Sequence, residues 1–185
     1  MELFEAIFSR QSIGKVKPDP VPREVIEQLL AAAVQAPNHY KVRPWRFVVV
    51  SGNARNQLGE IMARSFLAQN PSLPPEALEK ERGKPLRAPV LIAVGVDKPS
   101  EPKVSEIENI AAVAAACQNI LLAANSLGLG AIWRTGSAAR DARVKEWLGL
   151  APDQHLLGLI YIGYPENPPA PINRPGFETQ TTWKA

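Results

Sequence analysis

The chain has 185 residues, 45% of them hydrophobic and 21% charged, which is the balance of one compact globular domain and excludes a disordered chain. A single cysteine and two histidines exclude a disulfide scaffold and a Cys-rich zinc site, and leave little material for any metal centre. The formal net charge is +3 with the cations dispersed, and the densest run, Glu79–Arg87, mixes both signs; this argues against a nucleic-acid face and suits small anions such as phosphates.

Residues 2–9 are predicted as a helix with Leu3, Ile7 and Phe8 on one side, and Glu2 and Glu5 stand where a signal peptide needs positive charge. A loop runs from Arg10 to Pro22. Pro22 suits the first position of a second helix, whose period is Val25, Ile26, Leu29, Leu30, Ala33 and which stops at Ala36-Pro37. Trp45–Ser51 is a β-branched and aromatic run, hence a strand, and Gly52-Asn53 turns it. A helix over about 54–68 precedes a proline-rich excursion with one helix at 75–83.

Pro89–Val96 is a continuous apolar run, the pattern of a strand covered on both faces. Ser105 with Glu108 resembles a capping box opening a long helix to about Leu127. The 25 residues Asn109–Trp133 carry no charge, but Asn109, Gln118, Asn119, Asn125 and Ser126 point to a core helix and not a membrane span. Ala131–Trp133 begins a third strand, Ser137–Leu148 is a helix closed by Gly149, and His155–Gly163 is a fourth strand. From Tyr164 the chain is proline-rich, with aromatic residues at Phe177 and Trp183. The expectation is one α+β domain over 1–163 with an extension at 164–185 that is either disordered or wrapped on a neighbouring subunit. A cytoplasmic location follows, with Cys117 reduced and buried.

Familiar catalytic motifs are missing. Gly128-Leu-Gly130-Ala-Ile-Trp133 has two glycines of a dinucleotide fingerprint but Trp in place of the third, and it precedes a strand instead of following one. There is no P-loop, G-x-S-x-G elbow or H-E-x-x-H. Cys117 has no nearby His to activate it.

Three loop segments remain. In Arg10-Gln11-Ser12, an arginine fork with a hydroxyl two residues on can grip a phosphate; equally, the arginine can complement a helix C-terminus. Ala36-Pro37-Asn38-His39-Tyr40 and Arg43-Pro44-Trp45 form a rigid approach to a strand, with His39 either a donor or a plain surface residue. Trp133-Arg134-Thr135-Gly136 offers an aromatic face, a cation and a hydroxyl, or is simply an exposed entry to the next helix.

Taken together, R-x-S at 10–12, A-P-N-H at 36–39, P-W-R-F at 44–47, R-A-P at 87–89, G-L-G-x-I-W-R-T-G at 128–136 and G-Y-P at 163–165 resemble the FMN-dependent nitroreductase family, above all its small single-domain NAD(P)H members. The resemblance implies a nitroreductase-like α+β fold, with a mostly antiparallel central sheet flanked by helices. It further implies a homodimer with FMN sites at the subunit interface and a C-terminal extension wrapping the partner. Arg10, Gln11, Ser12, Trp133, Arg134 and Thr135 would line the FMN site from one subunit, and Gln35 and His39 from the other. Ala123, Ala124, Asn125, Ser126, Leu127 and Gly128 would contact NADH or NADPH.

The implied activity is ping-pong hydride transfer from NAD(P)H to nitroaromatic, quinone or related acceptors. No protein residue is assigned a catalytic role, because the flavin carries the chemistry. A flavin carrier or redox-sensing module is the alternative. Three positions depart from the family pattern. The basic residue expected two after the serine is Gly14, so Lys15 or Arg134 would have to supply the charge near the flavin N1/O2 edge. Arg43 replaces an amide, and Gln35 replaces an arginine.

Overall fold

The computed structural model describes residues 1–136 and 141–184. Its helices are α1 (Leu3–Ser9), α2 (Arg23–Ala33), α3 (Ala54–Gln69), α4 (Pro75–Arg82), α5 (Glu106–Ser126) and α6 (Ala142–Trp147), and its strands β1 (Trp45–Ser51), β2 (Val90–Val96), β3 (Gly130–Arg134) and β4 (His155–Gly163). The strands form one sheet in the order β1-β2-β4-β3, every pair antiparallel. This is the expected α+β class.

Every residue of β2 is buried because both faces of the sheet are covered. Ile92, Val94 and Val96 share one core with Leu29 and Ala33 of α2 and Val113, Ala116, Cys117, Ile120 and Ala124 of α5. Leu91 and Ala93 face the other way, into a second core with Leu58 and Met62 of α3 and Val144 of α6. The period of two places one residue set on each face, and the run reads as continuous because neither face meets water.

Helix α5 is long and apolar enough to cross a membrane, yet its spine of Val113, Ala116, Cys117, Ile120 and Ala124 is fully buried within the domain. Its three asparagines are held by the rest of the chain. Asn109 donates to Asp97 O (3.0 Å), Asn119 to Ala32 O (3.1 Å) and Asn125 to Ser9 Oγ (2.9 Å). At its start the main-chain N–H and hydroxyl of Ser105 both donate to Glu108 Oε2, at 2.6 and 2.9 Å.

A bulge bends β4: Val94 faces Gly158 while Gly95 faces Leu156, leaving Leu157 unmatched. The extra residue switches parity, so Leu156 joins the α3 side while Ile160 and Ile162 stay on the α5 side. Gly158 has φ +152°, and a Cβ there would lie 2.6 Å from Arg134 O and press on the Trp133 indole.

Two expectations are corrected. Pro22 caps α2 from outside, with Arg23 its first residue, and α2 ends at Ala33. Of the helix expected over Ser137–Leu148, residues 137–140 lie outside the described residues; the described helix runs Ala142–Trp147. It starts there because Asp141 accepts from Arg143 N and Val144 N, which makes it the N-cap. The apolar side of α1 does not face the core: Leu3, Phe4, Ile7 and Phe8 are exposed, and only Ala6 is buried. The extension is ordered in part against its own chain. Val16 bridges Pro165, Lys17 N donates to Tyr164 O (2.7 Å), and a 3-10 turn occupies Glu178–Gln180.

Candidate functional site

The loop after α1 is fastened at several points. Asn125, in the last turn of α5, donates to Ser9 Oγ and to Ala6 O (3.2 Å), fixing the end of α1. Ile13 N donates to Ala131 O at 3.0 Å, laying the loop along β3. Gly130 permits that approach, since a Cβ there would fall 2.8 Å from Ile13 Cγ2. The extension closes the loop from above: Gln11 Nε2 donates to Ala170 O (2.6 Å), and the Arg174 guanidinium donates to Phe8 O (3.4 Å) and Arg10 O.

The Arg174 guanidinium thus reaches the main chain of Arg10, two residues before the exposed Ser12. Partial burial, and then the charge of Arg174, hold the Arg10 pKa below its ordinary value. Among the described residues no carboxylate pairs with either arginine. Two arginines without a carboxylate partner, in and above a loop that also carries a hydroxyl, are a donor set that fits a phosphate group. Arg174 was not foreseen from sequence. It lies in a proline-rich stretch 164 positions from Arg10, and no local pattern marks it.

Trp133, Arg134 and Thr135 leave β3 beside this loop. Trp133 lies on the α5 side, its indole donating to Leu157 O (3.3 Å). Arg134 lies on the opposite face, its guanidinium carbon 5.7 Å from the centre of the Tyr161 ring. Its Nη2 is only 3.3 Å from where a Cβ on Gly14 would stand. Of the two cations named as substitutes for the missing basic residue, Arg134 is the one that occupies the Gly14 notch.

Gln35 and His39 stand apart from this group. Gln35 Nε2 donates to Ala31 O (3.3 Å) beyond the end of α2. His39 Nε2 lies 3.3 Å from Glu108 Oε1 in the first turn of α5. Glu108 and Asn125 are 17 residues apart on that helix, about 25 Å at 1.5 Å per residue. A single chain thus leaves His39 at one end of α5 and Arg10 at the other. The loop carrying His39 is also strained: Tyr40, Lys41 and Arg43 all have positive φ, conformations that non-glycine residues rarely adopt without tertiary support. Asn38 Oδ1 accepts from Arg43 N (2.9 Å) and braces it.

Residues Ala123–Gly128 form the end of α5 and its cap. Ala124 is buried, the Asn125 amide is taken up by α1, and Gly128 turns the chain at φ +74°. Of this segment, Asn125 and Gly128 border a groove of about 570 Å³ together with Phe8, Gln11, Ile13 and Ile172. Cys117, at the centre of the domain, is pushed up to about 12 by burial and holds no thiolate.

Residues 7–164 match the model of the nitroreductase family. A Methanothermobacter thermautotrophicus protein provisionally named NADH dehydrogenase/NAD(P)H nitroreductase is 38% identical over 178 residues, covering 91% of this chain and 80% of that one. A nitroreductase-like family protein from Bacillus cereus superposes with a TM-score of 0.86 at 25% identity, over 100% of this chain and 96% of that one. A provisional nitroreductase from Desulfovibrio desulfuricans, solved in complex with FMN, superposes with a TM-score of 0.76 at 26% identity, over 100% and 98% of the two chains. The match takes in the end of α1, the whole sheet and the Trp133–Gly136 segment, and the chain belongs to the nitroreductase family.

Proposed function

We propose that the protein is an oxidoreductase that binds FMN, takes hydride from NADH or NADPH, and passes two electrons to a nitroaromatic, quinone or related acceptor in a ping-pong cycle. The observation that carries this reading is the convergence of Arg10 and Arg174 on the Ser12 loop without a carboxylate among the described residues. The FMN bound to the Desulfovibrio relative supports it.

In this reading Arg10, Arg174 and the Ser12 hydroxyl hold the FMN phosphate, and Gln11 secures the extension that brings Arg174 in. Arg134, seated at Gly14, supplies the positive charge that favours electron density on the flavin ring, while Trp133 and Thr135 border the ring. FMN itself supplies the two-electron relay between donor and acceptor. The segment Ala123–Gly128 contacts the nicotinamide cofactor.

Gln35 and His39 complete the site from a second copy, which is how side chains at opposite ends of α5 come to share one ligand. The exposed side of α1 and Trp183, itself 83% exposed, provide apolar surface for that copy. The extension beyond Arg174 packs on the partner, and the dimer is a cytoplasmic enzyme.

The test is an anaerobic absorbance spectrum of protein supplemented with FMN and desalted, before and after NADPH or NADH. Yellow protein that bleaches promptly, and recovers on addition of a nitroaromatic, is the expected result. Colourless protein overturns the reading, and protein that stays yellow with both donors indicates a flavin carrier instead. Arg10→Ala is expected to weaken FMN retention by about 1.5–3 kcal/mol, the worth of a charge-assisted contact. Unchanged flavin occupancy after dialysis would remove Arg10 from the phosphate site.

A further inference from the structure

The face of β3 and β4 turned toward α3 carries a cavity of about 350 Å³ that the phosphate-end residues leave unused. This volume lies in the range of small-molecule pockets. Met62 and Tyr161 line it, and Lys84, Arg87 and Arg134 stand around it. It also contains a carboxylate, Glu81, whose residue is only 3% exposed. Lys84 pairs with Glu81, which balances one cation. Arg87 and Arg134 are left without a carboxylate partner among the described residues. Burial keeps the Tyr161 hydroxyl protonated against the pull of both arginines, so it remains a donor.

A partly apolar lining with an aromatic ring suits a flat hydrocarbon body, and the unpaired Arg87 guanidinium with a hydroxyl donor suits an anion. Inorganic phosphate would fill little of the volume and leave the lining by Met62 and Tyr161 unmatched. The cavity also reaches Trp133, Thr135 and Gly136, the segment assigned above to the border of the flavin ring.

We propose that this cavity receives the electron acceptor, and that the preferred acceptors are aromatic compounds bearing a carboxylate or comparable anion, held by Arg87. The assignment rests on the flavin reading. For a nitroarene the balance is Ar–NO2 + NAD(P)H + H⁺ → Ar–NO + NAD(P)⁺ + H2O. Hydride supplies both electrons, one nitro oxygen leaves as water, and solvent supplies the second proton.

The test compares 4-nitrobenzoate with its neutral methyl ester on FMN-loaded protein. The wild type should favour the carboxylate in kcat/KM by about tenfold or more. Arg87→Gln should lower that preference about ten- to a hundredfold, the size of a lost charge-assisted bond, chiefly through KM. Arg87→Lys should retain part of it. Calorimetric titration with benzoate gives a readout free of turnover: saturable binding to the wild type, weakened by Arg87→Gln and by added salt. Equal kcat/KM for acid and ester, or benzoate binding indifferent to Arg87→Gln, overturns the proposal while flavin reduction by NAD(P)H stands. Protein that retains no FMN overturns the flavin reading, and the acceptor assignment with it.

Discussion

Strand β2 and helix α1 are both rich in large apolar side chains and lie in opposite surroundings. In β2 each residue is buried, shared between two cores that the same chain supplies. In α1 only Ala6 is buried, while Phe4 and Phe8, at 70% and 69% exposure, stack on each other in the open with ring centres 6.2 Å apart. An apolar pattern therefore reports that a face is to be covered, and only the fold shows whether the cover comes from within the chain. For β2 the cover is internal. For α1 the described residues of its own chain supply none, and the proposed second copy would provide it.

The sharpest way to break this contrast is to truncate one side chain of each kind. Ile160, fully buried in the α5-side core, is expected to cost about 2–5 kcal/mol when changed to Ala, read as a fall in denaturation midpoint at constant slope. A loss below about 1 kcal/mol would show that the core collapses around the gap.

Asp141 occupies a middle position, polar yet buried. Burial opposes its charge, but donation from Ser65 Oγ, Arg143 N, Val144 N and Gln69 Nε2 outweighs it, so its carboxyl titrates below the usual range. Asp141→Ala is expected to cost about 1–3 kcal/mol, from the lost cap and the stranded donors. Because the folded-state pKa is the lower one, that contribution is complete above the unfolded value of about 3.9 and fades as pH falls through the folded value. The gap between wild type and variant should be flat from pH 5 to 8 and narrow in acid. A gap that persists undiminished in acid would deny the charge its part.

Phe8→Ser on the open face should change the stability of the isolated chain by no more than about 0.5 kcal/mol. Its effect should appear instead as weakened self-association in sedimentation at micromolar concentration. Substantial unfolding at constant oligomeric state would place the cover of α1 inside the chain after all.

What could be read from sequence follows the same division. The β2 run, the Ser105–Glu108 cap and the period of α2 are local signals, and each corresponds to an element. Arg10, Ser12 and Trp133–Thr135 could be nominated from short motifs, but their proximity could not, because it depends on Ile13 meeting Ala131 across more than a hundred residues. Arg174 carried no signal, since its partner is remote and its surroundings are proline-rich. That a helix begins after Asp141 was not legible either, because the contacts of Asp141 with Ser65 and Gln69 that hold this cap are tertiary. The bulge at Leu157 was equally hidden: nothing in His155–Gly163 says that β4 changes parity.

The clasp over the first loop has a consequence for biosynthesis. Gln11 waits for Ala170, and the end of α1 waits for Arg174, partners that leave the ribosome some 160 residues later. At roughly 5–20 residues per second, the N-terminal loop spends about ten to thirty seconds without them, while β1, β2 and α5 emerge in turn. The scaffold can thus gather before Arg10 and Arg174 come together. In the proposed phosphate role of this pair, the order of translation makes ligand binding a late event, reserved for chains that have already brought their two ends together.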